Sequence, residues 1–260
     1  MKVLIAIPAR FASQRYPGKP LVPLTGATGE ARSLIQRSWE AAGQVAGVAQ
    51  VVVATDDDKI RDAARGFGAE VVMTSSDCRN GTERCAEAAG RLKPDFDLVV
   101  NLQGDAPLTP PWFVEALIDA MASDPSVLVA TPVLKTSTQM CEDLRDDRKL
   151  GRVGATTAVF DRGGDALYFS KEVIPFADQG AQVFHHVGVY AYRPEALARY
   201  MTLDPGRLEL IEGLEQLRFV ENKIAVRCVE VDDRGHPFWE LNNPEDVPKI
   251  EEMMARIGME

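Results

Sequence analysis

The first half of the chain alternates short apolar runs with segments of helical periodicity. Runs of mainly aliphatic residues predict strands at 2–8, 50–55, 70–74 and 98–103. Helical patterns lie between these runs, at 32–45, 57–67 and 81–92. A further helix is expected to start at Pro110 and Pro111 and run to Met121, because proline is favoured in the first helical turn. Apolar strands that alternate with helices are typical of βαβ units and of a parallel sheet buried on both faces.

The second half has a less regular pattern. It predicts strands, some of them antiparallel, at 127–134, 153–160, 167–170, 183–192 and 224–231. It also predicts a loop or short helix at 142–151, an amphipathic helix at 208–222 and a terminal helix at 244–257. The predicted fold class is therefore α/β: a Rossmann-like open, mainly parallel sheet with helices on both faces, plus a smaller mixed α/β lobe.

The composition narrows the possible classes of function. The chain has 260 residues, of which 45% are hydrophobic, and this suffices for one large domain or for one domain plus a subdomain. We expect a cytoplasmic protein without membrane insertion, because the sequence shows no signal peptide and no long apolar stretch. The net charge of -10 argues against nucleic-acid binding, which needs a broad basic surface. The four cysteines lack CxxC spacing, so we expect reduced thiols and no metal cluster.

Three cations follow the first predicted strand, in the segment PARFASQRYPGKP. Arg10, Arg15 and Lys19 have no acidic residue among them. Open α/β sheets bind ligands at the carboxyl ends of their strands, and guanidinium and ammonium groups suit phosphate oxygens. The segment matches neither the P-loop nor the dinucleotide-binding pattern. Two interpretations stay open on these residues alone: an anion site for a small ligand, or a solvated loop whose cations meet surface acids.

A carboxylate follows the fourth predicted strand. Asp105 comes directly after Gly104 in NLQGDAP, and glycine allows the backbone to approach a ligand closely. Mg²⁺ prefers oxygen ligands, with few protein carboxylates among them and with substrate phosphates completing the set. Asp105 is therefore a candidate magnesium ligand, although an ordinary Gly-Asp turn would contain the same residues.

The segment CRNGTERCAEA leads into the third predicted helix. Asn80 and Gly81 favour a turn, and Thr82 is a candidate helix cap. The N–H groups of this first turn are suited to contact a base or an anion. A plain helix cap without a ligand is the alternative.

Several stretches together resemble the 3-deoxy-manno-octulosonate (Kdo) cytidylyltransferases, also called CMP-Kdo synthetases. In the order of the family they are IPARFASQRYPGKPL, VVVATDDDKI, VVMTSSDCRNGTER, VVNLQGDAPL, ALYFSKEVIPF, HHVGVYAYRPEAL, LELIEGLEQLR and NNPEDV. The resemblance covers nearly the whole chain. It implies a nucleotidyltransferase-type fold, CTP and an acid sugar as substrates, Mg²⁺ as cofactor and a homodimer.

The implied reaction transfers CMP from CTP to the anomeric hydroxyl of a 3-deoxy-2-keto acid sugar, with Kdo the favoured sugar. Pyrophosphate is released, and the product serves lipopolysaccharide or surface-polysaccharide synthesis. Within a single domain, the resemblance implies a nucleotide-binding half at roughly 1–125, a sugar-binding and dimerisation lobe at roughly 126–240 and a C-terminal helix at 241–260.

The resemblance also implies a role for particular residues. The implied catalytic residues are Arg10, Arg15, Lys19 and Asp105. The implied nucleotide site comprises Pro8, Ala9, Arg10, Lys19, Arg79, Gly81, Thr82, Gln103 and Asp105. The implied sugar site comprises Gln103, Lys171, His186, Tyr190, Glu212 and Gln216. The implied metal ligands are Asp105 and Asn242.

The chain departs from the family pattern at the metal and the sugar. Asn242 stands where the family has an aspartate that serves as second metal ligand, so this position brings an oxygen without a charge. We expect weaker metal binding, or compensation by another carboxylate such as Asp232 or Glu240. Lys171 replaces a family arginine, which exchanges a bidentate fork for a point charge.

Two further departures concern the length and content of segments. Residues 152–159 lack the lysine of the family pattern, and the loop at 25–32 is longer than usual. Two alternatives to a Kdo enzyme therefore remain. One is a cytidylyltransferase for a related or modified acid sugar, and the other is a nucleotide- or sugar-binding homologue without turnover.

Three residues of the implied sugar site also have a structural interpretation. A lone histidine in a strand is more often a hydrogen-bonded structural residue, so we expect His186 to bind substrate and not to transfer protons. Glu212 and Gln216 lie four residues apart, hence on one face of the predicted helix. A solvated helix face is the alternative for this pair.

Overall fold

The computed structural model of the protein describes residues 1–12, 16–93, 95–151, 155–176 and 182–260. Its strands are β1 (Val3–Ala9), β2 (Pro23–Thr25), β3 (Ala31–Ser33), β4 (Val48–Thr55), β5 (Glu70–Met73), β6 (Leu98–Asn101), β7 (Val129–Lys135), β8 (Thr156–Phe160), β9 (Ala166–Ser170), β10 (Phe184–His186), β11 (Tyr190–Tyr192) and β12 (Val226–Val231). Its α-helices are α1 (Leu34–Gly43), α2 (Asp58–Gly66), α3 (Gly81–Arg91), α4 (Pro111–Ser123), α5 (Thr138–Lys149), α6 (Pro194–Met201), α7 (Arg207–Glu212), α8 (Leu217–Glu221) and α9 (Asp246–Ile257).

The chain forms two compact units, and a parallel sheet is the centre of the first, which comprises Met1–Glu115 and Asp233–Glu260. Its strands lie in the order β5-β4-β1-β6. Ile5 of β1 pairs with Val51 on one side and with Val100 on the other, both in parallel register. Leu4, Ile5, Ala6 and Ile7 are all fully buried, because both faces of the strand are covered. The predicted α/β fold with a mainly parallel sheet is confirmed.

The second unit, Ala116–Asp232, has a mixed strand arrangement around β7. Strand β12 pairs with β7 in parallel register, whereas β10 and β11 pair with it in antiparallel register at its two ends. Strand β8 pairs with β10 and with β9, again antiparallel. The antiparallel pairing expected for part of the second half is thus present.

The structure corrects three of the predicted elements. The helix predicted at 32–45 begins only at Leu34, because β3 pairs with β2 as a hairpin and Ser33 caps α1 by accepting a hydrogen bond from the Gln36 amide. The polar segment at 142–151 lies mostly in α5, a helix of 12 residues that ends at Lys149. The helix predicted at 208–222 is wrong as one element, because Gly213 adopts a left-handed conformation with φ 61° and separates α7 from α8.

A small apolar core of the first unit lies between the hairpin, α1 and α9. Its fully buried side chains are Leu24, Leu34, Leu108, Leu241, Ile250 and Met254. Arg37 is 2% exposed and donates to the carbonyl groups of Leu24 and Glu30 and to the main-chain oxygen of Glu260. Burial lowers the pKa of this guanidinium. The core fixes the position of α9 and of the segment that leads into it.

Candidate active site

The strand order of the first unit creates a topological switch point between β1 and β6. Strand β4 pairs with one side of β1, and β5 lies beyond β4. The next strand, β6, pairs with the opposite side of β1. In open α/β sheets, ligands bind at the carboxyl ends of the strands that flank such a point. Here residues 8–10 and 101–105 form those ends and the positions directly after them, and they contain several of the predicted site residues.

Lys19, Asp105 and Leu241 meet at this edge of the sheet. The Lys19 ammonium lies 2.7 Å from a carboxylate oxygen of Asp105 and 2.8 Å from the carbonyl oxygen of Leu241. The Leu241 amide donates to the carbonyl of Asp105 at 2.9 Å. The Lys19 and Asp105 side chains are 14% and 26% exposed, so the pair is only partly open to solvent. The structure therefore joins two predicted residues that are 86 positions apart in the chain.

Two glycines hold the main chain of these loops in place. Gly18 has φ 73° and precedes the 3-10 turn Lys19–Leu21, while its amide donates to the carbonyl of Phe11. A Cβ atom at Gly104 would lie 2.9 Å from the Pro8 carbonyl oxygen and 3.3 Å from Ile35. The close approach at Gly104 is thus made to the chain's own first loop, so this glycine keeps the β6 and β1 ends together.

The predicted metal ligands lie in the same neighbourhood. Asn242 is half-buried and directly follows Leu241, whose amide and carbonyl contact Asp105 and Lys19. Over the described part of the chain, no group of three or more His, Cys, Asp or Glu side chains gathers as a metal site. One carboxylate with neutral oxygens fits Mg²⁺, which takes few protein ligands when it binds with phosphates. The Lys19 ammonium lies between the Asp105 carboxylate oxygen and the Leu241 carbonyl oxygen, where a bound cation would lie.

The remaining cations of the first loop differ in how they are placed. Arg10 is exposed and lies just beyond the end of β1, next to the buried Ala9 and the half-buried Pro8. Arg15 lies outside the described residues. Gln103 is half-buried, two residues past the end of β6.

The start of α3 differs in detail from its prediction. The helix cap is Asn80, whose side chain accepts from the Glu83 amide at 2.9 Å, so Thr82 is not the cap and is fully buried instead. Arg79 pairs with Glu83 at 2.7 Å and is about half exposed. Arg84 is buried and pairs with Asp56 at 3.2 Å. The accessible cation of this segment is therefore Arg79, beside the half-buried Gly81.

In the second unit, Glu212 is the best-held residue of the implied sugar site. Its carboxylate accepts hydrogen bonds from Ser170 Oγ at 2.7 Å, from the Lys171 amide at 2.9 Å and from the Tyr168 hydroxyl at 3.3 Å. Burial and the neighbouring Glu212 raise the pKa of Tyr168. The carboxylate is thereby fixed at the end of β9, beside Lys171.

Gln216 does not share a helix face with Glu212, because the chain turns at Gly213. The predicted i,i+4 arrangement is therefore wrong, and Gln216 precedes α8 as its N-cap residue. Gln216 is 2% exposed, and its side-chain Nε2 has no hydrogen-bond partner among the described residues. A buried amide donor without a partner is costly, which favours a ligand or a water at this position.

His186 is built into the core of the second unit. Its Nδ1 lies 2.9 Å from Thr156 Oγ1 and its Nε2 lies 3.1 Å from Thr131 Oγ1. The Thr131 hydroxyl donates its proton to a carbonyl, Val187 or Val189, so it accepts from Nε2–H and leaves Nδ1 to accept from Thr156. Burial lowers the pKa of His186 to about 3, so the ring is uncharged near neutral pH.

Tyr190 continues the aromatic packing around that histidine. It is 3% exposed, and its ring centroid lies 5.6 Å from His186 and 5.8 Å from Tyr192. Tyr190 and His186 thus support the fold of the second unit, whatever contact they make with a ligand.

Comparisons with known proteins identify the family. A sequence model described as cytidylyltransferase matches residues 4–227. A 3-deoxy-manno-octulosonate cytidylyltransferase of Maricaulis maris is 45% identical over 261 residues, which is 99% of each chain. The chain belongs to the cytidylyltransferase family. The resemblance to its 3-deoxy-manno-octulosonate branch, inferred from the motifs, is confirmed.

Two further relatives agree with that assignment. The mitochondrial 3-deoxy-manno-octulosonate cytidylyltransferase of Arabidopsis thaliana is 38% identical and covers 99% of this chain and 85% of its own. A solved structure described as CMP:2-keto-3-deoxy-manno-octonic acid synthetase complexed with CTP gives a TM-score of 0.85 at 36% identity, over 99% of this chain and 100% of its own. Within the described part of this cytidylyltransferase, no helix is long and apolar enough to cross a membrane.

Sequence reasoning missed three residues that shape the sites of this cytidylyltransferase. Tyr168 and Ser170 both bind Glu212, and their spacing of two on a predicted strand places them on one face, which is a signal for finding them. Asp246 binds the segment that carries Asn242, and only its place in the NNPEDV motif pointed to it.

Proposed function

We propose that the protein transfers CMP from CTP to the anomeric hydroxyl of 3-deoxy-manno-octulosonate and releases pyrophosphate. The observation that carries this proposal is the Lys19–Asp105 pair at the switch point of the sheet, in a chain 45% identical to an enzyme named for that reaction. A cation beside a carboxylate at the carboxyl ends of β1 and β6 suits a nucleoside triphosphate that arrives with a metal ion.

The residues of the first unit would bind the nucleotide and the metal. Arg10, Arg15 and Lys19 hold the triphosphate and stabilise the charge that develops on pyrophosphate. Asp105 and Asn242 hold Mg²⁺, which neutralises phosphate charge when bound. The cytidine is held at the end of β1, just after β6 and around the start of α3, by Pro8, Ala9, Arg79, Gly81, Thr82 and Gln103.

Residues of the second unit would bind the acid sugar. Lys171 offers a cation for the sugar carboxylate. Glu212, fixed by its three donors, accepts from sugar hydroxyls, and the unpartnered amide of Gln216 donates to the sugar. His186 and Tyr190 contribute through the packing that supports this site.

The lysine at position 171 supports a second candidate substrate. A point charge recognises a carboxylate less specifically than the arginine fork of the family pattern, so a related or modified acid sugar is the second candidate. We further propose that the enzyme is cytoplasmic and that its product serves lipopolysaccharide or surface-polysaccharide synthesis.

A homodimer through the second unit is also proposed. Among the described residues, the exposed large apolar side chains of this unit are Leu150, Leu167, Phe176, Met201, Leu210 and Ile211, against Met1 in the first unit. Association with a second copy would remove such side chains from water. Sedimentation of the wild type and of an Ile211→Glu variant tests this: a wild-type monomer, or an unchanged variant dimer, would contradict it.

Pyrophosphate release with CTP and a panel of acid sugars tests the reaction. We expect turnover with 3-deoxy-manno-octulosonate and little with UTP or ATP. CTP binding without pyrophosphate release from any sugar would instead indicate a binding protein without turnover.

The role of Asn242 has its own test. An Asn242→Asp variant should reach half-maximal rate at a lower Mg²⁺ concentration, because the second ligand gains a charge. Asn243→Asp is the matched control, since it adds the same charge one residue away. An equal shift in both variants, or in neither, would remove Asn242 from the metal site.

A further inference from the structure

The carboxylate of Asp246 holds the segment that leads into α9. One oxygen accepts hydrogen bonds from the main-chain amides of Asn242 at 2.9 Å and Asn243 at 2.7 Å. The other oxygen accepts from the indole Nε1 of Trp239 at 3.0 Å. All three donors therefore belong to residues 239–243, immediately before the helix on which Asp246 lies.

This segment supplies main-chain atoms to the cluster at the switch point. The Leu241 carbonyl accepts from Lys19, and the Leu241 amide donates to the carbonyl of Asp105. The Leu241 side chain is fully buried in the core between the hairpin and α9. The segment is thus fixed from one side by Asp105 and Lys19 and from the other by Asp246.

Helix capping accounts for only part of this geometry. The N-cap residue of α9 is Glu245, which makes no side-chain cap hydrogen bond, and Asp246 is the first residue of the helix proper. A carboxylate in the first turn can reach back to one amide just before the helix, as in a capping box, and the Asn243 contact is of this kind. The contacts to the Asn242 amide and the Trp239 indole lie further back along the chain, so they hold the segment and not the helix end.

We propose that Asp246 is a positioning residue for the metal and nucleotide site. It holds residues 239–243 so that the Leu241 carbonyl and the Asn242 side chain lie beside Asp105 and Lys19. The inference rests on the proposed function, because it takes Asp105 and Asn242 as metal ligands. Asp246 itself touches neither metal nor substrate and acts through the segment.

The hydrogen-bond pattern allows a test by rescue. In an Asp246→Asn variant, the amide oxygen can still accept from the two main-chain amides. The amide nitrogen then faces the Trp239 indole, donor against donor. A Trp239→Phe substitution removes that indole donor and leaves an aromatic ring under Lys249, whose ammonium lies 3.0 Å from the ring centroid. In the double variant, residues 239–243 should therefore return to the position that they lose in the Asp246→Asn variant.

Electron paramagnetic resonance measures Mn²⁺ affinity in the presence of CTP. The Mg²⁺ dependence of pyrophosphate release is measured as a second readout. We expect Asp246→Asn to weaken Mn²⁺ binding by roughly tenfold, as loss of a residue that orients a metal ligand does. The double variant should come within about threefold of Trp239→Phe alone. Glu245→Gln, which removes an exposed charge from the adjacent position, should bind Mn²⁺ as the wild type does.

The outcomes separate the positioning role from stability and from the reaction. If Asp246→Asn lowers the melting temperature but binds Mn²⁺ like Glu245→Gln, the role is structural and the proposal is overturned. If Asp246→Asn does not fold, the folded double variant decides, and weak Mn²⁺ binding there also overturns it. A wild type that binds Mn²⁺ with CTP but releases no pyrophosphate refutes the proposed reaction alone, since the variants' Mn²⁺ affinities still test Asp246.

Discussion

Replacing Lys19 by methionine and Asp105 by asparagine should change metal binding by the nucleotide-free protein in opposite directions. The Lys19 ammonium lies 2.7 Å from the Asp105 carboxylate and 2.8 Å from the Leu241 carbonyl, so it competes with a metal ion for both oxygens. Methionine removes this competitor and keeps the length of the side chain. Asparagine removes the charge to which either cation binds.

The size of the effect follows from the burial of the pair. Two unit charges about 4 Å apart interact by about 4 kcal/mol at an effective dielectric constant of about 20. With the two side chains 14% and 26% exposed, solvent screens part of this energy. Screening that leaves about a third of this energy gives a net competition of about 1.4 kcal/mol, which corresponds to a factor of about ten in the metal dissociation constant.

The assay is a Mn²⁺ titration without nucleotide, followed by electron paramagnetic resonance. Lys19→Met should strengthen Mn²⁺ binding roughly tenfold, whereas Asp105→Asn should weaken it by a similar factor. The double variant should show no gain, because the gain depends on the carboxylate. Lys59→Met is the matched control: its ammonium lies 4.8 Å from the Phe11 ring, so its loss should leave Mn²⁺ binding unchanged.

Catalysis should respond differently from metal binding. Lys19→Met should lower kcat by about 10²–10³, since a preorganised group that stabilises transition-state charge contributes that much. A variant that binds Mn²⁺ no better than the wild type would refute competition between Lys19 and the metal. A gain that survives in the double variant would refute the assignment of Asp105 as the ligand.

Three other perturbations test separate parts of the structure. Glu212→Gln should raise KM for the acid sugar about tenfold and leave KM for CTP nearly unchanged. The glutamate accepts three hydrogen bonds through two oxygens, whereas glutamine has only one oxygen, and its NH2 group would face a donor. Equal changes in both KM values would contradict a sugar role. Acid should destabilise the fold through His186, whose pKa is about 3 in the folded protein and 6.5 ordinarily. Between these values the ring is protonated in the unfolded chain and neutral in the folded protein, so falling pH favours unfolding. Burial also lowers the pKa of His185 to about 4, so each ring should cost about 1.4 kcal/mol per pH unit below 6.5 in chemical denaturation. Between pH 6 and 4.5 the slope should fall by about half in His186→Gln and stay unchanged in His236→Gln. Arg37→Leu should lower the unfolding free energy by about 2–3 kcal/mol, since it leaves buried carbonyl groups unpaired, and an unchanged denaturation midpoint would show that water replaces the guanidinium.

The central strands of the parallel sheet, β1 and β6, were predictable because each is apolar and buried on both faces. A run such as Leu4–Ile7 is buried throughout and fits no amphipathic helix, so its pattern indicates a central parallel strand. Helix α5 was harder to predict, because its sequence is mostly charged. Its buried side chains Cys141 and Leu144, 7% and 5% exposed, are spaced by three, so its apolar stripe is short. The N-cap Ser137 and the basic last turn were the other available signals.

The break between α7 and α8 shows the opposite problem. The apolar spacing of Leu210, Leu214 and Leu217 continues through Gly213 as if the helix did, yet Leu210 is 71% exposed and Leu217 is fully buried. The available signal was Gly213 itself, because glycine is the residue that most often ends a helix in a left-handed conformation, here with φ 61°. Periodicity alone does not reveal a turn that happens to preserve it.

The candidate site was predictable in its side chains and not in its main-chain groups. Lys19 and Asp105 follow the ends of strands that a parallel sheet brings to one edge, so their proximity followed from the fold class. Their third partner is a carbonyl 222 residues from Lys19, and every residue carries a carbonyl. The identity of residue 241 therefore gave no signal, and its position depends on the packing of α9 and on Asp246.

The asparagine at position 242 fits the charge distribution of that cluster. The Lys19–Asp105 pair carries no net charge and is largely shielded from water. In the proposed metal site, a carboxylate at 242 would add a negative charge near Asp105, and a half-buried charge without a partner costs free energy until a cation arrives. Asparagine would avoid this cost in the nucleotide-free protein and would still offer an oxygen to the metal. On this proposal, metal binding in this chain should depend more strongly on the phosphates that arrive with the metal than it does in a chain with aspartate at this position.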